Sequence, residues 1–370
     1  MLGLKYPIFQ SPMAGISTIK LASAITNSGG LGAIPLAAVD LRNPDAIESI
    51  RGQLDSFRSH LDNPELSRNV NLNFFCHDRS IQASSPTAKQ IANWKTVFTP
   101  AFNNHDLSKI EFPISNVSFQ ELEESGPQKN YNSLLELLAE YRPKVVSFHF
   151  GVPSQKTIDS LQSNGIDVFV SVTSLAEAKF AASKGVRGLT CQGFEAGGHR
   201  GNFLESTSND ENLSTYVLTN LVAREFGKQL YVVPAGGIMN GRDIDNYLSL
   251  PGVSAVQVGT VFLDTKESLS NGYISKHREL PTTMISSISG KTARCLRTPF
   301  IESVIKNNKD DLDLPPYGYT YSAFKSAVKA AGNPDNGFFL AGQGFPVLKG
   351  NGAGAAEVFQ ELVDEMKGKL

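Results

Sequence analysis

Short apolar segments alternate along the chain with longer segments whose apolar residues recur at helical spacing. This alternation is typical of parallel β-strands joined by crossover helices. Most of the apolar segments lack polar alternation, as strands do when both faces of their sheet are covered. We predict eight strands, at Pro7–Met13, Gly30–Pro35, Asn69–Phe75, Lys144–Phe150, Asp167–Val172, Gly188–Gly193, Leu230–Ala235 and Ala255–Thr260.

The segments between these strands have the period of amphipathic helices, and several begin at serine or threonine, which cap helix N termini well. Eight strand–helix units close naturally into a barrel, whereas an open doubly wound sheet usually has about five or six strands. We therefore predict an α/β fold of the (β/α)₈ TIM-barrel type. The predicted helices are Thr18–Ser28, Ala46–Ser59, Ser118–Tyr141, Ser154–Ser163, Ser174–Ser183, Leu213–Phe226 and Gly241–Leu250.

Two longer segments interrupt the alternation, residues 76–116 after the third predicted strand and residues 263–346 after the eighth. Both leave the carboxyl end of a strand, which is the end where TIM barrels carry their active sites. We predict that they form a second, mostly helical substrate-binding domain, called the cap below, over a barrel made of residues 1–75 and 117–262. A C-terminal helix within residues 347–370 is predicted to pack back on the barrel.

Composition excludes several classes of function. Hydrophobic residues make up 41% of the 370 residues, charged residues 19%, and the net charge is −2 without a basic stripe. We therefore expect no nucleic-acid partner. The three cysteines form no CxxC pair, which disfavours a disulfide framework and a zinc site, so we expect no metal. No apolar run suggests a leader or membrane segment, and we expect a cytoplasmic monomer or homodimer that acts on a small molecule.

Glycine-rich turns follow several predicted strands. Gly236 and Gly237 follow the seventh strand, and Gln257, Gly259 and Thr260 lie at the end of the eighth. Loops after these two strands of TIM barrels commonly bind phosphate, because glycines let backbone N–H groups approach the anion. The alternative is that the two glycines only make a tight turn. After the first strand, the small residues Met13, Ala14 and Gly15 form a turn against which a flat ring system can lie.

Polar side chains are predicted to reach the same end of the barrel. Asn73 lies near the end of the third strand and Gln192 near the end of the sixth. Their amides could hydrogen-bond the polar edge of a flavin, or they could instead satisfy buried loop backbone. His149 ends the fourth strand and points either into the barrel mouth or into packed wall.

The block CQGFEAGGHRG at residues 191–201 places His199 among four glycines directly after a strand. Histidine titrates near neutral pH, so it can remove a proton from a carbon acid or bind an anion. A neutral nitroalkane would need the first role, and a nitronate, already deprotonated, only the second.

Several of these blocks together resemble the nitronate monooxygenase family, class I. They are PIFQSPMAG at 7–15, VSFHFG at 146–151, CQGFEAGGHRG, PAGGI at 234–238, VQVGTVFL at 256–263, SGKTARCLR at 289–297 and AGQGFP at 341–346. The resemblance implies a TIM barrel with bound FMN and a helical substrate domain. It also implies oxidation of alkyl nitronates by O₂ to a carbonyl compound and nitrite, with propionate 3-nitronate as the physiological substrate.

The resemblance further implies roles for single residues. His199 would be the active-site histidine and His149 a second pocket histidine. The positions expected around FMN are Met13, Ala14, Gly15, Asn73, Gln192, Gly197, Gly198, Gly236, Gly237, Gln257, Gly259, Thr260 and Gln343.

Tyr317, Tyr321 and Lys325 recur every four residues. If the segment is helical, they share one face, where two phenols and an ammonium could bind a nitronate. The alternative is two packed tyrosines and a solvated lysine.

A rival function is an FMN-dependent NAD(P)H reductase of the same barrel superfamily, acting on an enoyl thioester or a quinone. A barrel that binds phosphate or flavin without catalysis is a third possibility.

Overall fold

The computed structural model describes residues 2–204, 209–270, 276–349 and 352–368. Three parts of the predictions extend beyond the described residues. These are Met1 and residues 205–208 of the predicted barrel, residues 271–275 of the predicted cap, and residues 350–351 and 369–370 of the predicted C-terminal segment.

Eight parallel strands form the centre of the molecule: β1 (Ile8–Gln10), β2 (Gly32–Pro35), β3 (Val70–Phe75), β4 (Val145–His149), β5 (Asp167–Val172), β6 (Gly188–Gln192), β8 (Tyr231–Ala235) and β9 (Val256–Val258). Each pairs with the next along the chain, and β9 pairs with β1. A parallel bridge between Phe9 and Leu31 joins β1 to the residue before β2, which closes the circle. The predicted TIM barrel is confirmed.

Helices surround the barrel: α1 (Ile19–Asn27), α2 (Ala46–Ser59), α4 (Phe119–Glu124), α5 (Gln128–Tyr141), α6 (Gln155–Ser163), α7 (Leu175–Ser183), α8 (Thr215–Phe226) and α9 (Gly241–Leu248). The side chains of Ser154 and Ser174 accept a hydrogen bond from the first turn of their helices, as N-caps do. The single helix predicted from Ser118 to Tyr141 was wrong. Gly126 and Pro127 divide it into two, because proline disfavours helical geometry in the residue before it.

The segments predicted as a cap contain α3 (Ala88–Ala101), α10 (Pro299–Asn307) and α11 (Tyr319–Ala331), and also an antiparallel pair of strands, β10 (Thr282–Ile285) and β11 (Ala293–Leu296). Helices α3, α10 and α11 share a hydrophobic cluster that includes Trp94, Phe98, Ile301 and Phe324. This cluster is separate from the cluster around most of the barrel helices. The domain boundaries themselves stay a prediction.

The final helix, α12 (Ala355–Met366), buries Phe359, Leu362 and Val363 in one cluster with Ile8 of β1 and Ile244 of α9. Glu365 of this helix accepts a hydrogen bond from the backbone N–H of Gly241 at 2.8 Å. Within the described ranges, none of the helices combines the length and the apolar character needed to cross a membrane.

Candidate active site

A cavity of about 300 Å³ opens at the carboxyl ends of the barrel strands, beneath the cap. Its volume lies at the lower end of the range for ligand sites, roughly 300–1,000 Å³. The structure brings sixteen of the eighteen predicted site residues to its wall: Met13, Ala14, Gly15, Asn73, His149, Gln192, Gly197, Gly198, His199, Gly236, Gly237, Gln257, Gly259, Thr260, Tyr321 and Lys325. Tyr317 and Gln343 are not in the wall.

The glycine cradle, defined as Gly236, Gly237, Gly259 and Thr260, forms one side of the cavity. Gly236 and Gly237 have φ values of 132° and 70°, which L side chains rarely adopt. Among the described residues, the backbone N–H groups of Gly237 and Thr260 have no hydrogen bond to a protein acceptor. Free N–H groups on two adjacent loops are the donors that a phosphate group needs.

Gly197 marks a point where barrel and cap touch backbone to backbone. A Cβ atom added at this position would lie 2.4 Å from the nitrogen of Gly342 and 2.5 Å from the carbonyl carbon of Ala341. Only glycine permits this approach, since neither contact atom is the end of a flexible side chain. The glycines in the histidine block therefore let the cap segment 341–342 close over the loop.

The backbone of the histidine block is also tied to the cap. Gly198 and His199 form a short strand, β7, which pairs antiparallel with β11 through Arg294 and Ala293. The N–H of Arg200 extends this pairing by donating to the carbonyl of Thr292 at 2.8 Å. His199 is thus held from both sides, by the barrel loop and by a cap strand distant in sequence.

The imidazole of His199 lies between aromatic rings and one hydroxyl. Its Nε2 is 2.8 Å from Oγ of Ser289, which is fully buried. The rings of Tyr317 and Tyr321 are 5.8 and 6.1 Å from the imidazole, each nearly perpendicular to it. The cap thereby supplies most of the surroundings of this barrel histidine.

Two further side chains hold the carbonyl of His199. Nε2 of His149 lies 3.2 Å from this carbonyl oxygen, and the amide of Gln192 donates to it at 2.9 Å. The Gln192 amide oxygen accepts from the N–H of Gly201 at 2.7 Å. Of the two roles considered for Gln192, its amide serves the loop backbone, although the side chain still lines the cavity.

Burial keeps the histidines of this region neutral. Desolvation, with smaller contributions from the neighbouring His149 and Lys291, lowers the pKa of His199 to about 3. Desolvation likewise lowers the pKa values of His149 and His77 to about 4. The ring of His77 lies edge-on to the rings of Phe150 and Tyr317. At neutral pH these imidazoles are therefore proton acceptors rather than cations.

The three residues predicted to share a helical face do not do so. Helix α11 begins at Tyr319, so Tyr317 precedes it, and the left-handed Gly318 lies between them. Tyr317 is fully buried, and its hydroxyl accepts from the amide of Asn116 at 3.2 Å. Tyr321 and Lys325 do lie one turn apart at the cavity, with the Lys325 ammonium 4.6 Å from the centre of the Tyr321 ring.

Gln343 does not contact the cavity. Its side chain is exposed, and its backbone N–H donates to the carbonyl of Glu195 at 2.9 Å. Asn73, in contrast, lies at the cavity and donates from Nδ2 to Oγ of Ser147 at 2.9 Å. No described residue donates to its Oδ1, which therefore keeps an acceptor for a ligand.

Three residues near the site carried no prediction. Ser289 contacts His199, the Lys291 ammonium lies 4.6 Å from the centre of the Phe150 ring, and Asn116 lines the cavity with a left-handed φ of 54°. Burial lowers the pKa of Lys291 to about 8. SGKTARCLR contains two of these residues, but the motif carries no chemical pattern that would single them out, and only the cap fold brings them to His199.

The residues at the cavity fit a flavin mononucleotide. The glycine cradle has free N–H groups for a phosphate, and the small residues Met13, Ala14 and Gly15 leave room for a flat ring. Asn73 Oδ1 can accept from a ring N–H. A cavity that combines backbone donors with small side chains suits a ligand of this shape.

Comparison with solved structures shows the same fold elsewhere. A nitroalkane oxidase from Streptomyces ansochromogenes superposes with a TM-score of 0.77 over 99% of this chain and 97% of that chain, at 24% identity. FabK from Thermotoga maritima superposes with a TM-score of 0.65 over 99% and 94%, also at 24% identity. At this level of identity the likeness concerns the fold alone.

Comparison of sequences shows the family. A putative nitronate monooxygenase of Saccharomyces cerevisiae is 43% identical over 93% of this chain and 86% of the yeast protein. A nitronate monooxygenase of Pseudomonas aeruginosa is 36% identical over 100% of this chain and 98% of its own length. The model of the nitronate monooxygenase family matches residues 1–365. The chain therefore belongs to the nitronate monooxygenase family, an enzyme family of flavin-dependent oxidoreductases.

Proposed function

We propose that this enzyme binds FMN and oxidises alkyl nitronates with O₂, giving a carbonyl compound and nitrite. The observation that carries the proposal is the arrangement of the cavity. The wall contains the glycine cradle and also the cap face, named for its nearness to the cap and defined as the barrel residues His149 and His199 with the cap residues Tyr321 and Lys325. The names of the relatives from S. cerevisiae and P. aeruginosa support the same activity.

The glycine cradle supports FMN as the flavin. Its unpaired N–H groups belong to two neighbouring loops, those after β8 and β9, and can donate to the phosphate of FMN. The phosphate would lie there, and the ring would lie against Met13 to Gly15 with Asn73 at its polar edge. The bound flavin would supply the electron transfer to oxygen.

The cap face supports an anionic substrate. Lys325 provides a positive charge at the cavity, and burial raises the pKa of Tyr321, so this phenol keeps its proton and can donate it in a hydrogen bond. A nitronate offers two acceptor oxygens. Propionate 3-nitronate carries a carboxylate as well and would use both groups, so we propose it as the substrate.

His199 can act in two ways in this site. As a neutral imidazole it can take the α-proton of a nitroalkane that arrives uncharged. With a nitronate no proton needs to be removed, and His199 would then only orient the substrate. The neutral state that burial gives His199 suits the first role more than the binding of an anion by charge.

The proposal is tested by turnover. Purified protein loaded with FMN is incubated in air with propionate 3-nitronate, while nitrite and oxygen uptake are measured. We expect nitrite to form together with oxygen consumption. Flavin content is measured in parallel, since loss of FMN during purification would lower both signals.

The rival reductase activity is tested on the same preparation without oxygen. NADH and NADPH are added in turn, and the visible absorbance of the flavin is followed. We expect little reduction. Rapid bleaching by a nicotinamide, together with no nitrite from the nitronate, would replace the proposed function with that of an FMN-dependent reductase.

A further inference from the structure

The fully buried hydroxyl of Ser289 has three hydrogen-bonding neighbours, one of which is the N–H of Lys291, a donor to its Oγ at 3.4 Å. Its Oγ is 2.8 Å from Nε2 of His199 and 2.9 Å from the carbonyl oxygen of Lys291. A serine hydroxyl has one proton and can donate only once. The two contacts therefore cannot both be donations from Ser289.

The carbonyl of Lys291 decides which group donates in each of these hydrogen bonds. A carbonyl oxygen has no proton and can only accept. If Ser289 donated to His199, its oxygen and the Lys291 carbonyl oxygen would face each other as two acceptors at 2.9 Å. The arrangement in which both contacts are hydrogen bonds runs from His199 Nε2–H to Ser289 Oγ and from Ser289 Oγ–H to the Lys291 carbonyl.

We propose that Ser289 is a positioning residue that holds the proton of His199 on Nε2 and leaves Nδ1 as the nitrogen that accepts a proton from substrate. In the described residues Nδ1 has no hydrogen-bond partner, and it is not an enclosed atom, unlike both ring nitrogens of His77. His199 itself lies in the cavity wall. The free lone pair is thus the one that a ligand can reach.

The hairpin between β10 and β11 keeps Ser289 in place. The N–H of Gly290 donates to the carbonyl of Ser286 at 2.8 Å, which closes the turn, and Gly290 has a left-handed φ of 85°. Pairing of β11 with β7 then places this turn against His199. Ser289 and His199 are 90 positions apart, so the contact depends on the cap hairpin.

The position of the proton on His199 does not depend on the proposed function, and only its consequence for catalysis rests on that function. The first experiment therefore measures the proton position without turnover. Protein labelled with ¹⁵N at histidine and loaded with FMN is studied by long-range ¹H–¹⁵N NMR, with His199→Asn identifying the His199 signals. We expect a protonated Nε2 and an unprotonated Nδ1 at neutral pH. A proton on Nδ1 in the wild type would overturn the proposal.

The variants Ser289→Ala and Ser289→Thr distinguish the effect of the hydroxyl group from the effect of changing the side chain, since alanine removes the hydroxyl and threonine keeps it. In Ser289→Ala the His199 signals should move towards a mixture of tautomers, and in Ser289→Thr they should return to the wild-type pattern. FMN content serves as the measure of folding. A single Nε2–H tautomer that persists unchanged in Ser289→Ala would show that Ser289 does not set it.

The kinetic consequence is measured with a neutral nitroalkane and with its preformed nitronate. Ser289→Ala should lower kcat/KM for the nitroalkane by roughly 2- to 12-fold, the range of one hydrogen bond, and affect the nitronate less. Equal losses on both substrates would contradict a role in proton acceptance. If no nitrite forms from either substrate in the wild type, the proposed function fails while the tautomer result still stands.

Discussion

The glycine cradle and the cap face line the same cavity and are built in different ways. The cradle consists of backbone from two loops that directly follow β8 and β9, so residues near in sequence make it. The cap face consists of side chains, and their environment comes from segments far apart, such as Ser289 and Tyr317 against His199. Backbone geometry in the cradle thus provides shape, and side-chain chemistry in the cap face provides the proton acceptor and the charge.

The largest expected effect tests the chemistry of the cap face. His199→Asn should lower kcat/KM for a neutral nitroalkane by roughly 10²- to 10⁴-fold, the usual contribution of a general base, because asparagine cannot take the α-proton. Oxidation of the preformed nitronate should fall far less. Initial rates of nitrite formation with both forms of one substrate measure the difference, and equal losses would indicate a binding role instead.

The next effect tests the contact between the barrel loop at Gly197 and the cap segment 341–342. Gly197→Ala would force a Cβ atom to within 2.5 Å of the backbone at Ala341 and Gly342. Such overpacking should weaken FMN binding by roughly 5- to 150-fold, since the cap must shift away from the loop. Quenching of flavin fluorescence on titration of the apoprotein gives the dissociation constant.

Gly52→Ala is the matched control for this change. Gly52 lies in α2 with no atom within 4 Å of an added Cβ, so alanine should leave FMN binding unchanged and stabilise the helix by about 0.5–1 kcal/mol. Tight FMN binding by Gly197→Ala would mean that the close approach of the cap is not needed for the cofactor.

A smaller effect is expected at Lys325, an exposed residue that lines part of the cavity. Lys325→Met should raise KM for propionate 3-nitronate by about three- to tenfold with little change in kcat, because the charge attracts the anion in the ground state and the transition state alike. Lys329→Met, one turn further along α11 and outside the cavity wall, is the control. A fall in kcat alone would place Lys325 in the chemical step.

The last prediction concerns stability rather than activity. The pKa values of His77, His149 and His199 lie near 4, 4 and 3 in the folded protein, below the ordinary value near 6.5. Below pH 6.5 the unfolded chain binds protons that the folded protein does not. Each histidine should therefore lower the free energy of unfolding by about 1.4 kcal/mol per pH unit as the pH falls from 6.5 towards 4, and contribute no pH dependence above 6.5.

Urea unfolding of the apoprotein at several pH values measures this slope, and His77→Gln isolates one contribution. The variant should show a slope smaller by about 1.4 kcal/mol per pH unit over that range. His60→Gln, at an exposed histidine outside the cavity, controls for the substitution itself. Identical slopes in wild type and His77→Gln would show that His77 is protonated in the folded protein.

Local sequence patterns predicted the barrel well and the cap less well. The apolar runs predicted all eight strands because strands covered on both faces have an unmistakable composition. The spacing of Tyr317, Tyr321 and Lys325 predicted that they share a helical face. Helix α11 begins only after Gly318, so Tyr317 lies outside it. A four-residue spacing does not indicate where a helix begins. Gln343 was expected near FMN from a motif, yet its side chain faces away because only the backbone of this segment joins the loop.

The sequence by itself determined the strand order, the glycine turns at the strand ends and the position of a histidine among them, since these depend on neighbouring residues. Only the tertiary structure decided what surrounds that histidine. Ser289 reaches His199 because β11 pairs with β7, a contact between segments some ninety residues apart. The position of the proton on His199 and its neutral charge follow from burial and hydrogen bonding. Burial and hydrogen bonding in turn depend on how distant segments pack together.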